Sequence, residues 1–182
     1  PIEKIIELVK KHKSNCKISL DGAQSAPHMK VNFAQLDVDF YAFSGHKMLG
    51  PMGVGGLIVK SELLQSGEMS PWLFGGGMIE SVYQDKTKFN EDLSERFIAG
   101  TPDVASVAGL AAACQYLQKI GMDKVEKHDR ELVQYALEEL GKLDDVKIIG
   151  PLDPQYRLGS VTFIYQGVHA HDVAQVLDGE NV

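Results

Sequence analysis

The residues of this chain best suited to chemistry are polar side chains that follow two short apolar stretches. They are Asp21, Gln24, Ser44, His46 and Lys47. A lysine amine in a crevice that closes over it is partly desolvated, and desolvation makes an amine a better nucleophile toward carbonyl groups. The pattern therefore indicates Schiff-base chemistry at Lys47. A solvated surface lysine beside an ordinary Asp-Gly turn fits the same spacing, so the spacing alone leaves both interpretations open.

The apolar stretches around these residues predict the strands of a sheet. Residues 17–20 lead into Asp21, residues 38–43 lead into Ser44, and residues 54–59 form a third apolar stretch. The C-terminal ends of neighbouring strands in an α/β sheet meet at one crevice, which is where such folds bind ligands. We therefore expect the polar side chains to converge there.

Helices are predicted on both sides of these strands. Apolar residues at helical spacing predict a helix over residues 1–13. Thr101-Pro102-Asp103 predicts the start of another helix, with Thr101 as its hydroxyl cap, and that helix extends to about residue 119. Residues 66–100 are rich in glycine and lack periodicity, which predicts a long loop.

The order of elements predicts two domains. The later elements are a helix over residues 122–140, strands over 146–149 and 160–165, and a helix over 170–177. We expect an α/β fold in which residues 1–141 form part of a three-layer domain with a mostly parallel sheet. Residues 142–182 are then the beginning of a smaller α+β domain. The sequence opens directly in a helical pattern and stops just after a helix, so we expect a fragment of a longer chain.

Composition and charge exclude several classes of function. The net charge is −7 and the lysines form no basic stripe, which argues against a nucleic-acid partner. No stretch approaches the roughly 18 apolar residues of a membrane-spanning helix, and no signal peptide is recognisable, so we expect a cytoplasmic protein without a membrane partner. Cys16 and Cys114 lie far apart, as expected for structural thiols in a reducing compartment.

Three familiar binding motifs fail on spacing. Gly53-Val54-Gly55-Gly56 lacks the third glycine of a dinucleotide fingerprint, because Ile58 stands there. Gly45-His46-Lys47-Met48 is not a phosphate-binding loop, because a methionine stands where a hydroxyl must hold magnesium. His169 and His171 have no third ligand near them in sequence, so we predict no metal site.

Four segments in order resemble the class V aminotransferase superfamily of fold-type I pyridoxal-phosphate (PLP) enzymes. Within it, they are similar to cysteine desulfurases of the SufS kind. The resemblance covers the chain from its first helix to residue 178. The segments are Leu20-Asp21-Gly22-Ala23-Gln24-Ser25, Asp39-Phe40-Tyr41-Ala42-Phe43-Ser44-Gly45-His46-Lys47, Gly50-Pro51-Met52-Gly53-Val54-Gly55 and Arg96-Phe97-Ile98-Ala99-Gly100-Thr101-Pro102.

The resemblance implies a role for each candidate residue. Lys47 would hold PLP covalently as a Schiff base and would move the substrate's α-proton. Asp21 would pair with the protonated ring nitrogen, and Gln24 would donate to the phenolic oxygen. The phosphate ligands would be Ser44, His46 and, from the other subunit of a homodimer, Thr101.

The resemblance also implies a reaction, in which L-cysteine gives alanine and an enzyme persulfide whose sulfur passes to an acceptor protein for iron–sulfur cluster assembly. The family's sulfur-accepting cysteine, its carboxylate-binding arginine and the aromatic residue that stacks on the cofactor cannot be assigned in this chain. Cys16 and Cys114 do not match that cysteine, so we expect this chain to be inactive alone. The alternatives are a selenocysteine lyase, a kynureninase, an epimerase, or a non-catalytic scaffold that keeps the fold.

Overall fold

The computed structural model describes residues 2–182, which divide into two compact units. The first unit contains the chain up to Ala26 together with Val31–Leu117. The second contains Pro27–Lys30 together with Gln118–Val182. Helices and strands occur in both, which confirms the predicted α/β class.

The first unit contains a three-stranded sheet, a hairpin and four complete helices, together with the first half of the short helix Ser25–His28 and most of the long helix Val104–Ile120. Pro1, which the sequence places in the first helix, lies outside the described residues. The last turn of the sixth helix belongs to the second unit. The elements are α1 (Ile2–His12), β1 (Ser19–Asp21), α2 (Ser25–His28), α3 (Phe33–Leu36), β2 (Phe40–Ser44), a 3₁₀ turn (Gly45–Met48), β3 (Gly55–Val59), α4 (Ser61–Gln65), β4 (Ile79–Val82), β5 (Thr87–Phe89), α5 (Leu93–Arg96) and α6 (Val104–Ile120).

The main sheet has the strand order β1-β2-β3 and combines both strand directions. β1 is parallel to β2, whereas β2 is antiparallel to β3. The predicted mostly parallel sheet is thus observed for the first pair and not for the second. The connections explain the difference: residues 22–39 include α2 and α3 and can cross over the sheet, whereas residues 45–54 form a short return.

A buried carboxylate fixes the register between β1 and β2. Asp39 lies just before β2 and is only 9% exposed. Its Oδ2 accepts a hydrogen bond from the backbone N of Ile18 at 2.8 Å, and its own backbone N donates to the Ile18 carbonyl oxygen at 2.9 Å. Because a slip of one residue would turn every side chain of β1 to the other face, this pair of bonds helps to decide which residues end at the candidate site.

The segment predicted as a long loop contains regular structure. β4 and β5 form an antiparallel hairpin, closed by a hydrogen bond from the backbone N of Tyr83 to the Lys86 carbonyl oxygen. Met78, just before β4, is fully buried, and the Phe74 and Phe89 rings stack with centroids 5.7 Å apart. The prediction of a loop over residues 66–100 was wrong for this part, because strands of three or four residues are too short to show periodicity.

The cap of α6 is Asp103, and the prediction of a Thr101 cap was wrong. The helix begins at Val104, and the Asp103 carboxylate accepts from the backbone N of Ser106 at 3.1 Å and from its hydroxyl at 2.5 Å. These bonds, led by that of the hydroxyl, lower the pKa of Asp103 below its usual value. Thr101 precedes a proline, which disfavours the helical conformation for it, so the helix starts after Pro102.

The second unit contains α7 (Met122–Leu140), β6 (Val146–Ile149), a 3₁₀ turn (Pro154–Tyr156), β7 (Thr162–Tyr165) and α8 (Ala170–Gly179). Val133 and Leu137 of α7 are buried, and β6 pairs with β7 in antiparallel register. Because α7 packs against β6, this unit begins earlier than residue 142. The assignment of residues 142–182 to a separate small domain of the family stays a prediction.

The turn after β6 depends on a glycine and gives the first testable prediction. Gly150 has φ +94°, and a Cβ built on it would lie 3.0 Å from a guanidinium nitrogen of Arg157. That guanidinium donates to the carbonyl oxygens of Ile149 and Pro151. We expect Gly150→Ala to lower the free energy of unfolding of the full-length protein by about 1–2 kcal/mol, because a side chain is strained at positive φ.

Gly179→Ala is the matched control for this prediction, measured by chemical denaturation of the same protein. Gly179 ends α8, and a Cβ there would meet no atom within 4 Å. We expect this variant to be neutral or slightly stabilised. Equal stability losses for the two variants would show that backbone strain at Gly150 is not the cause.

Large apolar side chains are exposed in the loop that precedes the hairpin. Trp72 is 90% exposed, and its neighbours Leu73 and Phe74 are 69% and 67% exposed. Contiguous exposed apolar side chains are typical of contact sites with other polypeptide chains.

Among residues 2–182, no helix has both the length and the apolar character needed to cross a bilayer.

Candidate functional site

The C-terminal ends of β1 and β2 lie side by side and border a cavity. The parallel register pairs Ser19 with Phe40 and Asp21 with Ala42, so both strands end at the same edge of the sheet. An open cavity of about 360 Å³ lies at this edge. Its lining residues are Ser19, Leu20, Asp21, Ala23, Ala42, Phe43 and Ser44. The structure therefore brings the predicted site residues Asp21 and Ser44 to one cavity.

Asp21 is presented by a tight turn at the end of β1. Its Oδ1 accepts a hydrogen bond from the backbone N of Ala23 at 2.9 Å, and its side chain is exposed. The backbone N of Gly22 donates to the Ala42 carbonyl oxygen at 2.7 Å, which ties the turn to β2. This arrangement places an acceptor carboxylate at the cavity and fixes the backbone that carries it.

Lys47 lies on the 3₁₀ turn that follows β2, together with His46. The turn is held at both ends, since the backbone N of Gly45 donates to the Val54 carbonyl oxygen at 2.8 Å and the backbone N of Gly50 donates to the Gly45 carbonyl oxygen at 2.9 Å. Gly45 is buried, whereas the side chains of His46 and Lys47 are exposed. The amine is therefore held by a defined backbone, but the described residues do not supply the desolvation that the sequence predicts for it.

The two remaining predicted residues are on exposed backbone of the first unit. Gln24 directly precedes α2 and continues the turn that starts at Asp21. Thr101 follows Gly100, whose backbone N donates to the Gly76 carbonyl oxygen at 2.9 Å. Like His46 and Lys47, neither residue is among those that line the cavity. The carboxylate of Asp103 occupies the helix terminus that was expected to favour an anion at Thr101.

The charge of Asp21 acts on a buried tyrosine beneath the turn. Burial raises the pKa of Tyr41 above its usual value, the hydrogen bond with Ser25 opposes the shift, and the charge of Asp21 adds to it. Tyr41 is only 3% exposed and is paired with Leu20 in the register of β1 and β2. The phenol is therefore protonated at neutral pH and is available as a neutral hydrogen-bonding group below the site.

Comparison with known proteins places this geometry in a family. The model of the family described as "Aminotransferase class-V" matches residues 1–182. The chain belongs to the class V aminotransferase family. A curated relative, "Probable cysteine desulfurase 2" of Mycobacterium leprae, is 52% identical over 163 residues, which are 90% of this chain and 38% of that protein.

Solved structures of two further proteins resemble this class V chain. The apo cysteine desulfurase of Thermococcus onnurineus has a TM-score of 0.91 and 38% identity, covering 100% of this chain and 44% of that one. C-DES, solved as a variant with glycine covalently linked to its PLP cofactor, has a TM-score of 0.87 and 28% identity, covering 100% and 48%. A second structure holds C-DES, a cystine C–S lyase, with its product cysteine persulfide. The chain thus spans less than half of each of these proteins.

Sequence reasoning did not single out two hydroxyl groups that meet next to the Asp21 turn, those of Ser25 and Tyr41. The Ser25 Oγ and the Tyr41 Oη are 2.7 Å apart. Tyr41 stands in the middle of an apolar strand, where a core position is the ordinary interpretation, and Ser25 opens a four-residue helix. No pattern in the sequence reveals that the two hydroxyls meet, since they lie on different elements.

Proposed function

We propose that the protein containing this chain is a PLP-dependent cysteine desulfurase of the SufS kind. It converts L-cysteine to L-alanine and transfers the sulfur as a persulfide for iron–sulfur cluster assembly. One observation carries the proposal: in a chain 52% identical over 163 residues to the relative named "Probable cysteine desulfurase 2", Asp21 and Ser44 share one cavity and Lys47 follows on the next turn.

The residues at this edge of the sheet fit the chemical groups of PLP. The carboxylate of Asp21 suits a protonated pyridine nitrogen, and the hydroxyl of Ser44 suits a phosphate. A volume of about 360 Å³ is within the range of pockets that hold small cofactors. The turn that carries His46 and Lys47 requires glycine at position 45, since a Cβ there would lie 2.7 Å from the Val54 carbonyl oxygen. The donor set and the space therefore agree with this cofactor.

Each candidate residue has a defined task in the proposal. The Asp21 carboxylate would accept a hydrogen bond from the protonated ring nitrogen, and Gln24 would donate its amide to the phenolic oxygen. Lys47 binds the cofactor through its Nζ, and this amine then takes the α-proton of the substrate and returns a proton during the formation of alanine. The phosphate ligands are Ser44, His46 and, from a second subunit, Thr101. When bound, PLP supplies an electron sink for the negative charge at the substrate's α-carbon.

Neither cysteine of the chain is the proposed sulfur acceptor. Cys16 precedes β1, whereas Asp21 ends it, and Cys16 is not among the residues that line the cavity. Cys114 lies within α6. We therefore expect residues 1–182 alone to release no alanine from L-cysteine. Both thiols are free, which supports a cytoplasmic location.

We propose that the complete protein acts as a homodimer. The exposed side chains of Trp72, Leu73 and Phe74 support this, because they offer apolar surface near the segment that leads to Thr101. The same arrangement would let Thr101 serve the cofactor of the other subunit. A sulfur-acceptor protein is the further partner that a persulfide requires.

The test is a product assay on purified full-length protein loaded with PLP. We expect equal amounts of alanine and of sulfide, the latter released from the persulfide by a thiol reductant. Pyruvate and ammonia in place of alanine would place the protein with C–S lyases. Turnover of another amino acid without any alanine or sulfide from cysteine would exclude a desulfurase.

A further inference from the structure

The ring of Tyr41 lies directly against the backbone of the turn that carries Asp21. A Cβ built on Gly22 would be 2.1 Å from the Cζ of Tyr41 and 2.3 Å from its Oη. Only glycine allows the ring this close, since every other residue would push either the strand or the turn away. The position of the tyrosine ring and the position of Gly22, which follows Asp21 in the chain, are therefore coupled by steric contact.

The hydroxyl of the same ring reaches the next element. Tyr41 Oη and Ser25 Oγ are 2.7 Å apart, and the Ser25 hydroxyl also donates weakly to the Gly22 carbonyl oxygen at 3.5 Å. The backbone N of Ala26 donates to the Gly22 carbonyl oxygen at 2.9 Å. A phenol of β2 thus holds the first residue of α2, while the backbone holds the other end of the turn.

The two predicted cofactor ligands of this segment lie next to these bonds. Gln24 lies between the bond of Gly22 to β2 and the Ser25 hydroxyl, and Asp21 directly precedes Gly22. Without the hydroxyl pair, the first residue of α2 would lose a hydrogen bond that joins it directly to β2. A rotation of α2 would then move Gln24 and the Asp21 carboxylate relative to the cavity.

We propose that Tyr41 and Ser25 form a positioning pair that fixes the Asp21–Gln24 turn for binding of the cofactor. The inference rests on the proposed function, since it assigns the turn to PLP. The phenol does not touch the cofactor, and it acts through Ser25 and Gly22. Because its pKa is raised by burial, it remains protonated and can donate its proton to the Ser25 oxygen over the physiological pH range.

The experiment compares Tyr41→Phe, Ser25→Ala and the double variant in the full-length protein. Phenylalanine keeps the ring against Gly22, so only the hydrogen bond is removed. We expect each single variant to weaken PLP binding about twofold to tenfold, and the double variant to bind no more weakly than the weaker single variant. Ser25→Thr keeps the hydroxyl and should bind nearly as well as the natural protein. Tyr116→Phe, at a tyrosine that is 56% exposed, is the control.

Hydrogen exchange of the cofactor-free protein gives a second readout that does not need PLP. We expect the amides of Gly22, Ala23 and Ala26 to exchange faster in Tyr41→Phe and Ser25→Ala, by a similar factor, and to be unchanged in Tyr116→Phe. Suppose that the natural protein bound no PLP, but that exchange of these amides increased by a similar factor in both variants. The structural coupling of Tyr41 and Ser25 would then be supported, and the proposed function would be contradicted. Unchanged amide exchange would contradict the coupling of Tyr41 and Ser25. The same holds if the losses of PLP affinity in the two single variants multiply in the double variant. Faster exchange with unaltered PLP affinity would overturn its positioning role.

Discussion

Replacement of Lys47 by alanine is expected to reduce alanine formation from L-cysteine by at least about 10³-fold in the full-length protein. Two tasks of the amine are lost together, the covalent hold on the cofactor and the transfer of the substrate's α-proton. The 3₁₀ turn that carries the residue is fixed by backbone bonds at Gly45 and Gly50, which do not involve the lysine side chain. The variant should therefore fold normally.

Two measurements distinguish the loss of the Lys47 amine from a general loss of folding or activity. Borohydride treatment should fix the cofactor on the natural chain at Lys47 and leave the alanine variant unmodified, which mass spectrometry of the digested protein would report. Lys13→Ala changes an exposed lysine just after α1 and should behave like the natural protein. Cofactor that is fixed on the chain of the Lys47→Ala variant would show that another amine forms the covalent link to PLP.

Asp21→Asn is expected to lower turnover on the order of a hundredfold, the second largest effect. Asparagine keeps the size of the side chain and can still accept from the backbone N of Ala23, so the turn should persist. What is lost is the negative charge that would keep the ring nitrogen protonated. Because a neutral ring is a weaker electron sink, the loss should appear mainly in kcat.

The control for Asp21→Asn is Asp85→Asn, at an exposed acid of the β4–β5 turn. Turnover and the visible absorption of bound PLP should both change at residue 21 and stay constant at residue 85. If the Asp21→Asn variant had the activity and the absorption spectrum of the natural protein, the assignment of this carboxylate to the cofactor site would be contradicted.

The sequence predicts the edge of the sheet well because the signals there are local. An apolar stretch followed by a polar turn locates the ends of β1 and β2, and the parallel register then brings Asp21 and Ser44 to one cavity. The strand β3 was placed equally well, but its antiparallel direction was not. Two consecutive strands can be parallel only if the connection between them is long enough to cross over the sheet. Residues 45–54 are too short for such a crossover, so β2 and β3 are antiparallel.

Other features could not be predicted because they depend on contacts between elements. The Tyr41–Ser25 pair and the bond from Ile18 to Asp39 join side chains and backbone that lie on different segments. The hairpin of β4 and β5 has strands too short to show alternation. The start of α6 was misplaced for a different reason, since Thr101 and Asp103 are both good caps and the proline between them decides in favour of Asp103.

The most direct test of the central claim is a crystal structure of the full-length protein with PLP bound. The claim is that the ends of β1 and β2 bring an acid and an amine to opposite ends of one aromatic ring. We expect the Asp21 carboxylate within about 3 Å of the pyridine nitrogen and the Lys47 Nζ bonded to the carbon that derives from the aldehyde. A cofactor that contacts only one of these residues, or neither, would contradict the account.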